Sequence, residues 1–236
     1  MTRFLFLTVI ALLPMLSNAQ IDKGSSDILI PVALNEEWDK WGFIDKRGNV
    51  VVPFKYDWVD KFSEGLASVA LNGKYGFIDK RGNVVVPIKY GGVGNFSEGL
   101  ASVALNGKRG FIDKRGNVVA PIKYDLLYDF SEGLARVKLN GKWGFIDKRG
   151  NVVVPIKYDG VDDFSEGLAS VGLNGKYGFI DKQGNVFVPI KYDWVHDFSE
   201  GLASVNLNGK YGCIDKQGNV VVPLKYGWVG YPPEEG

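Results

Sequence analysis

The chain has 236 residues, 45% hydrophobic, 23% charged and 13% aromatic, with 28 Lys and Arg against 27 Asp and Glu. That is the composition of a folded chain, not a disordered one, and a formal charge of +1 removes the electrostatic case for a nucleic-acid or anionic-membrane surface. One Cys excludes intrachain disulfides and thiolate metal clusters, one His leaves acid/base and metal chemistry short of its commonest residue, and 31 Gly with 10 Pro point to frequent turns in an all-β chain.

Residues 1–19 carry Arg3, an apolar run from Phe4 to Leu16 broken by Pro14, then Ser17, Asn18 and Ala19 before Gln20. This is the pattern of a secretory signal peptide cleaved after Ala19. A membrane anchor is the competing reading, but the apolar run falls short of the roughly 20 residues a spanning helix needs. Without a Cys at the cleavage point there is no thiol for a lipid anchor, and loss of Arg3 leaves basic and acidic groups equal in number. An exported protein follows, periplasmic, cell-surface or extracellular, with no stable membrane insertion after cleavage. Residues 20–27 are a linker.

From residue 28 onward one repeat dominates. Trp41-Gly42 recurs as Tyr75-Gly76, Arg109-Gly110, Trp143-Gly144, Tyr177-Gly178 and Tyr211-Gly212, each step being 34 residues. Helical repeats can share that period, but each unit holds breakers such as Asn72-Gly73, Gly82-Asn83, Pro87 and Ser97-Glu98-Gly99, which leave no window for a helix. The predicted strands of the second unit are 66–71, 74–79 and 83–90. Asn72-Gly73 reads as a two-residue hairpin turn, Lys80-Arg81-Gly82 as a three-residue one with Gly left-handed, and Gly91 to Gly99 as a longer connection. Ile28 to Asn35 matches the first strand, with Glu36 to Lys40 lengthening its turn, and the array closes on a third strand at Tyr226. One array of six three-stranded meanders therefore spans 28–231, with 232–236 as a tail whose Pro and Glu suit an exposed edge. The expected architecture is an open, solenoid-like stack, with a closed six-bladed propeller-like ring as the alternative.

Strict alternation assigns Ala67, Val69, Leu71, Gly76, Ile78, Val84, Val86, Ile88 and Tyr90 to the core face. The opposite face receives Ser68, Ala70, Tyr75, Phe77 and Lys89. Arg136 in place of Ser, and Lys138 or Asn206 in place of Ala, support an outward second face. That face carries a row of rings, Trp41, Tyr75, Trp143, Tyr177 and Tyr211, read either as cross-strand packing or as a stacking platform. Lys138 is expected opposite Trp143. In the long connection Trp58, Trp194 and Trp228 share a position with Gly92, Leu126 and Gly160, and tips that vary on a constant frame are either partner-reading sites or relaxed loops.

Catalytic and metal chemistry finds little footing. His196 replaces Asp, Gly or Tyr of other units and reads as a solvated loop residue, and Cys213 replaces a Phe and reads as a half-buried structural thiol. Asp45, Asp79, Asp113, Asp147, Asp181 and Asp215 suit turn capping rather than calcium, which needs clustered oxygen ligands. Glu64, Glu98, Glu132, Glu166 and Glu200 could be imagined as glycosidase acids, but near-identical copies supply no single asymmetric constellation. No enzyme, cofactor or metal is expected.

The run Trp41-Gly42-Phe43-Ile44-Asp45-Lys46-Arg47-Gly48-Asn49-Val50-Val51-Val52-Pro53 resembles the bacterial WG-repeat family, and its recurrence extends the resemblance from about Trp38 to Val229. Tyr75, Tyr177 and Tyr211 depart mildly from the motif's Trp, and Arg109 departs strongly. The resemblance implies exported repeat proteins that mediate interactions, and it brings no catalytic residues. The expected function is a secreted, non-enzymatic scaffold that binds a protein partner through Trp58, Trp194, Trp228 and the ring row. The alternatives are a cell-envelope glycan binder, for peptidoglycan or polysaccharide, stacking sugars on that row, and a spacer without a ligand.

Overall fold

The computed structural model describes residues 28–34 and 40–230. The segments expected to be a signal peptide, a linker and a tail, and most of the lengthened first turn, lie outside them. The first sheet has three antiparallel strands in chain order, β1 (Ile30–Ala33), β2 (Trp41–Ile44) and β3 (Val50–Tyr56). The second has four, β4 (Trp58–Val59), β5 (Leu66–Leu71), β6 (Lys74–Asp79) and β7 (Val84–Tyr90), and four further sheets repeat that order down to Val220–Tyr226. The long connection, expected as loop, contributes a short strand at the sheet edge away from β7, the innermost in strand order. Trp58 pairs with Ala70 and Val59 with Val69, so the meander gains a fourth member from the second unit onward.

Both predicted turns form. Asn72 and Gly73 have φ of 51° and 69°, the doubly positive pair a two-residue hairpin demands. In the second turn the Asp79 carboxylate accepts from the backbone N–H of Arg81 and Asn83 and from the Asn83 side-chain amide, all at 2.9 Å. The same bonds recur at Asp45, Asp113, Asp147 and Asp181, so these carboxylates cap turns.

The third strand is where strict alternation fails. Tyr75 pairs with Tyr90, Phe77 with Val86 and Ile78 with Val84, with irregularities between each pair. The extra residues bend β7 across β6 and carry Val86 and Tyr90 round to the side of Phe77. The bend also accounts for the Gly of the Trp-Gly pair. A Cβ on Gly76 would sit 2.6 Å from the Val86 carbonyl oxygen and 2.8 Å from the Ile88 Cα, and its five equivalents meet backbone in the same way. Pro87 and Lys89 are exposed on this outer edge, as are their counterparts in every unit, which guards it against pairing with another strand.

The predicted division into a core face and a wet face is therefore corrected: both faces are buried. Phe77, placed outward by alternation, is 1% exposed, and Val84, placed in the core, is 50% exposed. Five cores lie between the six sheets, each built from one face of a sheet and the opposite face of the next. Between the first two units Phe43, Val52 and Tyr56 meet Val59, Ala67, Val69 and Ile78, and the other four cores repeat this set with few changes. A Phe from the connection completes each, as Phe96 does on Phe77 at 4.7 Å between ring centroids. The stack is open. Tyr226 at its far end is 43% exposed, whereas Tyr56, Tyr90, Tyr124, Tyr158 and Tyr192 are at most 2% exposed.

Polar bonds add to this stacking. Ser63, ahead of a tight turn, donates its hydroxyl to the Phe96 carbonyl of the next unit at 2.7 Å. Glu64, in that turn with φ of 49°, accepts from the Gly99 N–H at 3.0 Å and pairs with Lys114 at 2.9 Å. Glu132 and Glu166 repeat the clamp on Gly167 with Lys182 and on Gly201 with Lys216. Non-Gly residues seldom hold positive φ, and here the backbone turn aims each carboxylate forward onto its neighbour.

Candidate interaction surface

The predicted site residues fall on one rim, where the short innermost strands run. Cross-strand register sets each unit's ring residue in a row with its tip residue: Trp58, Ala70 and Tyr75 in the second unit, Leu126, Lys138 and Trp143 in the fourth, Trp194, Asn206 and Tyr211 in the sixth. The tip and ring sets, read separately in sequence, therefore meet. Trp58 lies 6.3 Å from Tyr75 edge-on, and Trp194 lies 6.4 Å from Tyr211 and 5.8 Å from His196, which is half-buried in that cluster rather than simply solvated. Trp41, Tyr75, Trp143, Tyr177 and Tyr211 are all half-buried, whereas Trp58, Trp194 and Trp228 are 41%, 38% and 69% exposed.

The ring row is largely occupied by its own neighbours. Lys138 Nζ stands 5.3 Å over the Trp143 ring, as predicted, with Tyr128 at 6.0 Å beside it. A Cβ on Gly172 would lie 2.8 Å from the Tyr177 ring, so Tyr177 leans across that glycine. Exposed aromatic area is thus concentrated at the tips. Cys213 is buried at 5% exposure and supports the core, 3.9 Å from the Ser204 hydroxyl.

Between the tips runs a charged column that sequence reasoning missed. Arg136 stacks on Tyr128 at 4.1 Å, and its Nε lies 3.1 Å from the Asp163 carboxylate of the next unit. The Ser170 hydroxyl donates to Asp162 at 2.6 Å. Burial holds the Asp163 carboxyl above the usual range, against the pull of Arg136, and burial with the nearby Asp162 charge does the same for Asp197. The signal was present in sequence: Arg replaces Ser at 136 where the following connection carries the pair Asp162-Asp163.

Clefts open on this rim at two junctions. Between the fifth and sixth units a cavity of about 310 Å³ is lined by Gly160, Asp162, Ser170, Gly172, Tyr177 and Trp194. Between the third and fourth, one of about 380 Å³ and one of about 310 Å³ share Ser102 and Asp129 and extend towards Glu98 on one side and Arg109 on the other. Among the described residues no group of three His, Cys, Asp or Glu is placed to hold a metal ion, and no helix is long and apolar enough to cross a membrane.

The WG containing repeat matches six times in tandem, at residues 41–75, 75–108, 110–143, 143–177, 177–211 and 211–236. The chain belongs to the WG-repeat family. No curated protein sequence matches this WG-repeat chain. Among solved structures it is similar to a eukaryotic initiation factor at 13% identity and a TM-score of 0.43, covering 86% of this chain and 75% of that one. A Bacteroides caccae protein of unknown function is 16% identical with a TM-score of 0.30, over 84% of this chain and 93% of that one. Kluyveromyces lactis Hsv2 is 10% identical with a TM-score of 0.37 over 67% of this chain, which spans 59% of the length of that structure. At such scores these likenesses carry no functional argument.

Proposed function

We propose that this WG-repeat array is an exported, non-enzymatic scaffold that binds a protein partner along the rim of its innermost strands. The observation that carries the reading is the exposure of Trp58 and Trp194, 41% and 38%, at the ends of cross-strand rows, with Tyr128 and Trp228, 42% and 69% exposed, at neighbouring positions of the connections. A rigid sheet edge fixes each ring, so little side-chain freedom remains to be lost on binding, and Trp and Tyr offer large contact area with a polar handle. The interleaved Asp and Arg column supplies charge for selecting a partner. Near-identical units repeat every motif and provide no single catalytic constellation, which supports a binding role.

The test is affinity capture from the envelope fraction of the source cells, comparing the unaltered chain with a Trp58→Ala, Trp194→Ala double variant. The reading expects a discrete protein recovered by the first and lost with the second. Recovery by both, or by neither, would overturn it.

One place favours the glycan alternative. In the cleft between the fifth and sixth units Tyr177 and Trp194 line the same space as the Asp162 carboxylate and the Ser170 hydroxyl, an aromatic and acceptor set suited to a sugar ring. Co-sedimentation with purified peptidoglycan sacculi that survives salt and is lost in Trp143→Ala, Tyr177→Ala would establish that reading in place of the first.

A further inference from the structure

The five internal junctions define what each sheet face is built to meet, and among the described residues two faces lack that partner. At the far end Tyr226 is 43% exposed and Val222 half-buried, in contrast to Val52, Val86, Val154 and Val188 at 0%. At the near end Ile30 is 42% exposed and Ile44 half-buried, whereas the equivalent Ile78, Ile112, Ile146, Ile180 and Ile214 are fully buried. The far face is of the kind that elsewhere receives the following unit, and the near face is of the kind that elsewhere docks on the preceding one.

Two further features match the ends to each other. The first sheet has three strands where the others have four, and the missing member is the innermost strand beside β1. Trp228-Val229, which occupies the repeat position of the innermost pairs Trp58-Val59 and Trp194-Val195, follows the last sheet outside any strand. The second feature is size. Every internal core combines a Phe from one unit with an Ala from the next, as Phe43 with Ala67 or Phe179 with Ala203. At the free ends the Phe position holds Cys213, and the Ala position holds Ile30, which pairs with Ile44 as Ala67 pairs with Ile78. A large and a small side chain are replaced by two of intermediate size, the exchange that keeps a core filled.

We propose that a second copy of this chain docks head to tail on the first, its near face covering Val222 and Tyr226 beside the already buried Cys213, while Trp228-Val229 adds as the fourth strand of its first sheet. By the internal register Trp228 lies opposite Ala33 and Val229 opposite Val32. The occupant is another copy because the two end faces match each other as the internal faces do, yet neither covers the other within one chain, Ile30 and Tyr226 remaining 42% and 43% exposed. A heterologous contact of this kind propagates, giving a filament or a multi-chain ring.

Sedimentation velocity over a concentration series tests the contact. The unaltered chain is expected to form species that grow with concentration, and Ile30→Asp and Tyr226→Asp are each expected to abolish that growth. An equimolar mixture of the two variants keeps one good near face and one good far face, and is expected to regain a dimer and nothing larger. That rescue also shows that both variants fold. A single species for the unaltered chain at all concentrations would overturn the proposal. Pairing Ala33→Cys with Trp228→Cys in a Cys213→Ser background fixes the geometry. A ladder of oxidised multimers supports the contact, whereas a cross-linked monomer means closure of one chain on itself and overturns it, as does no cross-link.

Discussion

The Glu166 carboxylate accepts a hydrogen bond at 3.2 Å from the backbone N–H of Gly201, which lies in the following unit. The same carboxylate pairs with Lys216 at 3.0 Å, so one side chain ties down both the inner turn and the outer hairpin of its neighbour. Glu166 itself sits at a φ of 52°, and the pairing with Lys216, opposed by partial burial, holds its carboxyl below the usual range. Glu166→Ala is expected to lower stability by about 1 kcal/mol through loss of the clamp. Glu166→Gly loses the same bonds but relieves the left-handed backbone, so it is expected to cost less than the Ala variant by a few tenths to about 1 kcal/mol. Urea denaturation of both variants measures the difference.

The Gly of the Trp-Gly pair is expected to be intolerant for a reason unrelated to turns. In Gly144→Ala the new Cβ would meet the Val154 carbonyl oxygen at 2.6 Å and the Ile156 Cα at 2.8 Å. Neither backbone atom can swing aside as a side chain would, and the cost is expected to be about 1–3 kcal/mol. Gly160→Ala is the control. Nothing lies within 4 Å of its Cβ position, and its denaturation midpoint is expected to stay close to that of the unaltered chain.

One junction is a repairable gap. Asp57 accepts from Lys40 at 2.8 Å and from the Asn72 N–H at 2.6 Å, and Asp125, Asp159 and Asp193 bridge units in the same way. The equivalent residue between the second and third units is Gly91, where a Cβ would make only ordinary contact, 3.7 Å from the Ala104 carbonyl oxygen. Gly91→Asp is therefore expected to recruit Lys74 and the Asn106 N–H and to raise the melting temperature, with a gain of up to about 1 kcal/mol. No change in melting would refute this account of the bridge.

The turn-capping carboxylates make the array sensitive to acid. The Asn49 side-chain amide holds Asp45 below the usual carboxylate range, and Asn83, Asn185 and Asn219 do the same for Asp79, Asp181 and Asp215. A depressed folded-state pKa contributes stability that is present above the unfolded value and is lost as pH falls through the folded one, so melting temperature is expected to drop below about pH 4. Asp197 has the opposite sign. Its pKa is raised by burial, so its charged form weakens the fold at neutral pH. Asp197→Asn is expected to raise the melting temperature at pH 7 and to leave it unchanged at pH 3.

The period and the turns were legible because they are local. Asn72-Gly73 and the Asp79-to-Asn83 turn are specified by residues that touch one another, and Asn-Gly has few other uses. The fourth strand was not legible, since Trp58-Val59 is too short to show alternation and pairs only because β5 is already fixed by its hairpin. The face assignment failed at the bulges. Phe77 opposite Val86 and Ile78 opposite Val84 put one step of β6 against two of β7, and that odd residue turns Val86 and Tyr90 to the side of Phe77, a shift no alternating pattern announces. Internal variation misled in the same place. Arg136 and Lys138 looked incompatible with burial, yet each stands near the rim, where its long side chain reaches Tyr128 and Asp163 or the ring of Trp143. The tip and ring aromatics were each identified, but only the fold could show that they pair.

The absent carboxylate at Gly91 also makes the array mechanically uneven. A load applied along the stack reaches every junction equally, while the bridge from Asp57 to Asn72 has no carboxylate counterpart at that single step. With the Ser63 and Glu64 bonds also removed, this junction is expected to part first under tension, separating the first two units from the remaining four. Such a chain, anchored at both ends, would therefore lengthen in a defined first step and retain its larger block intact.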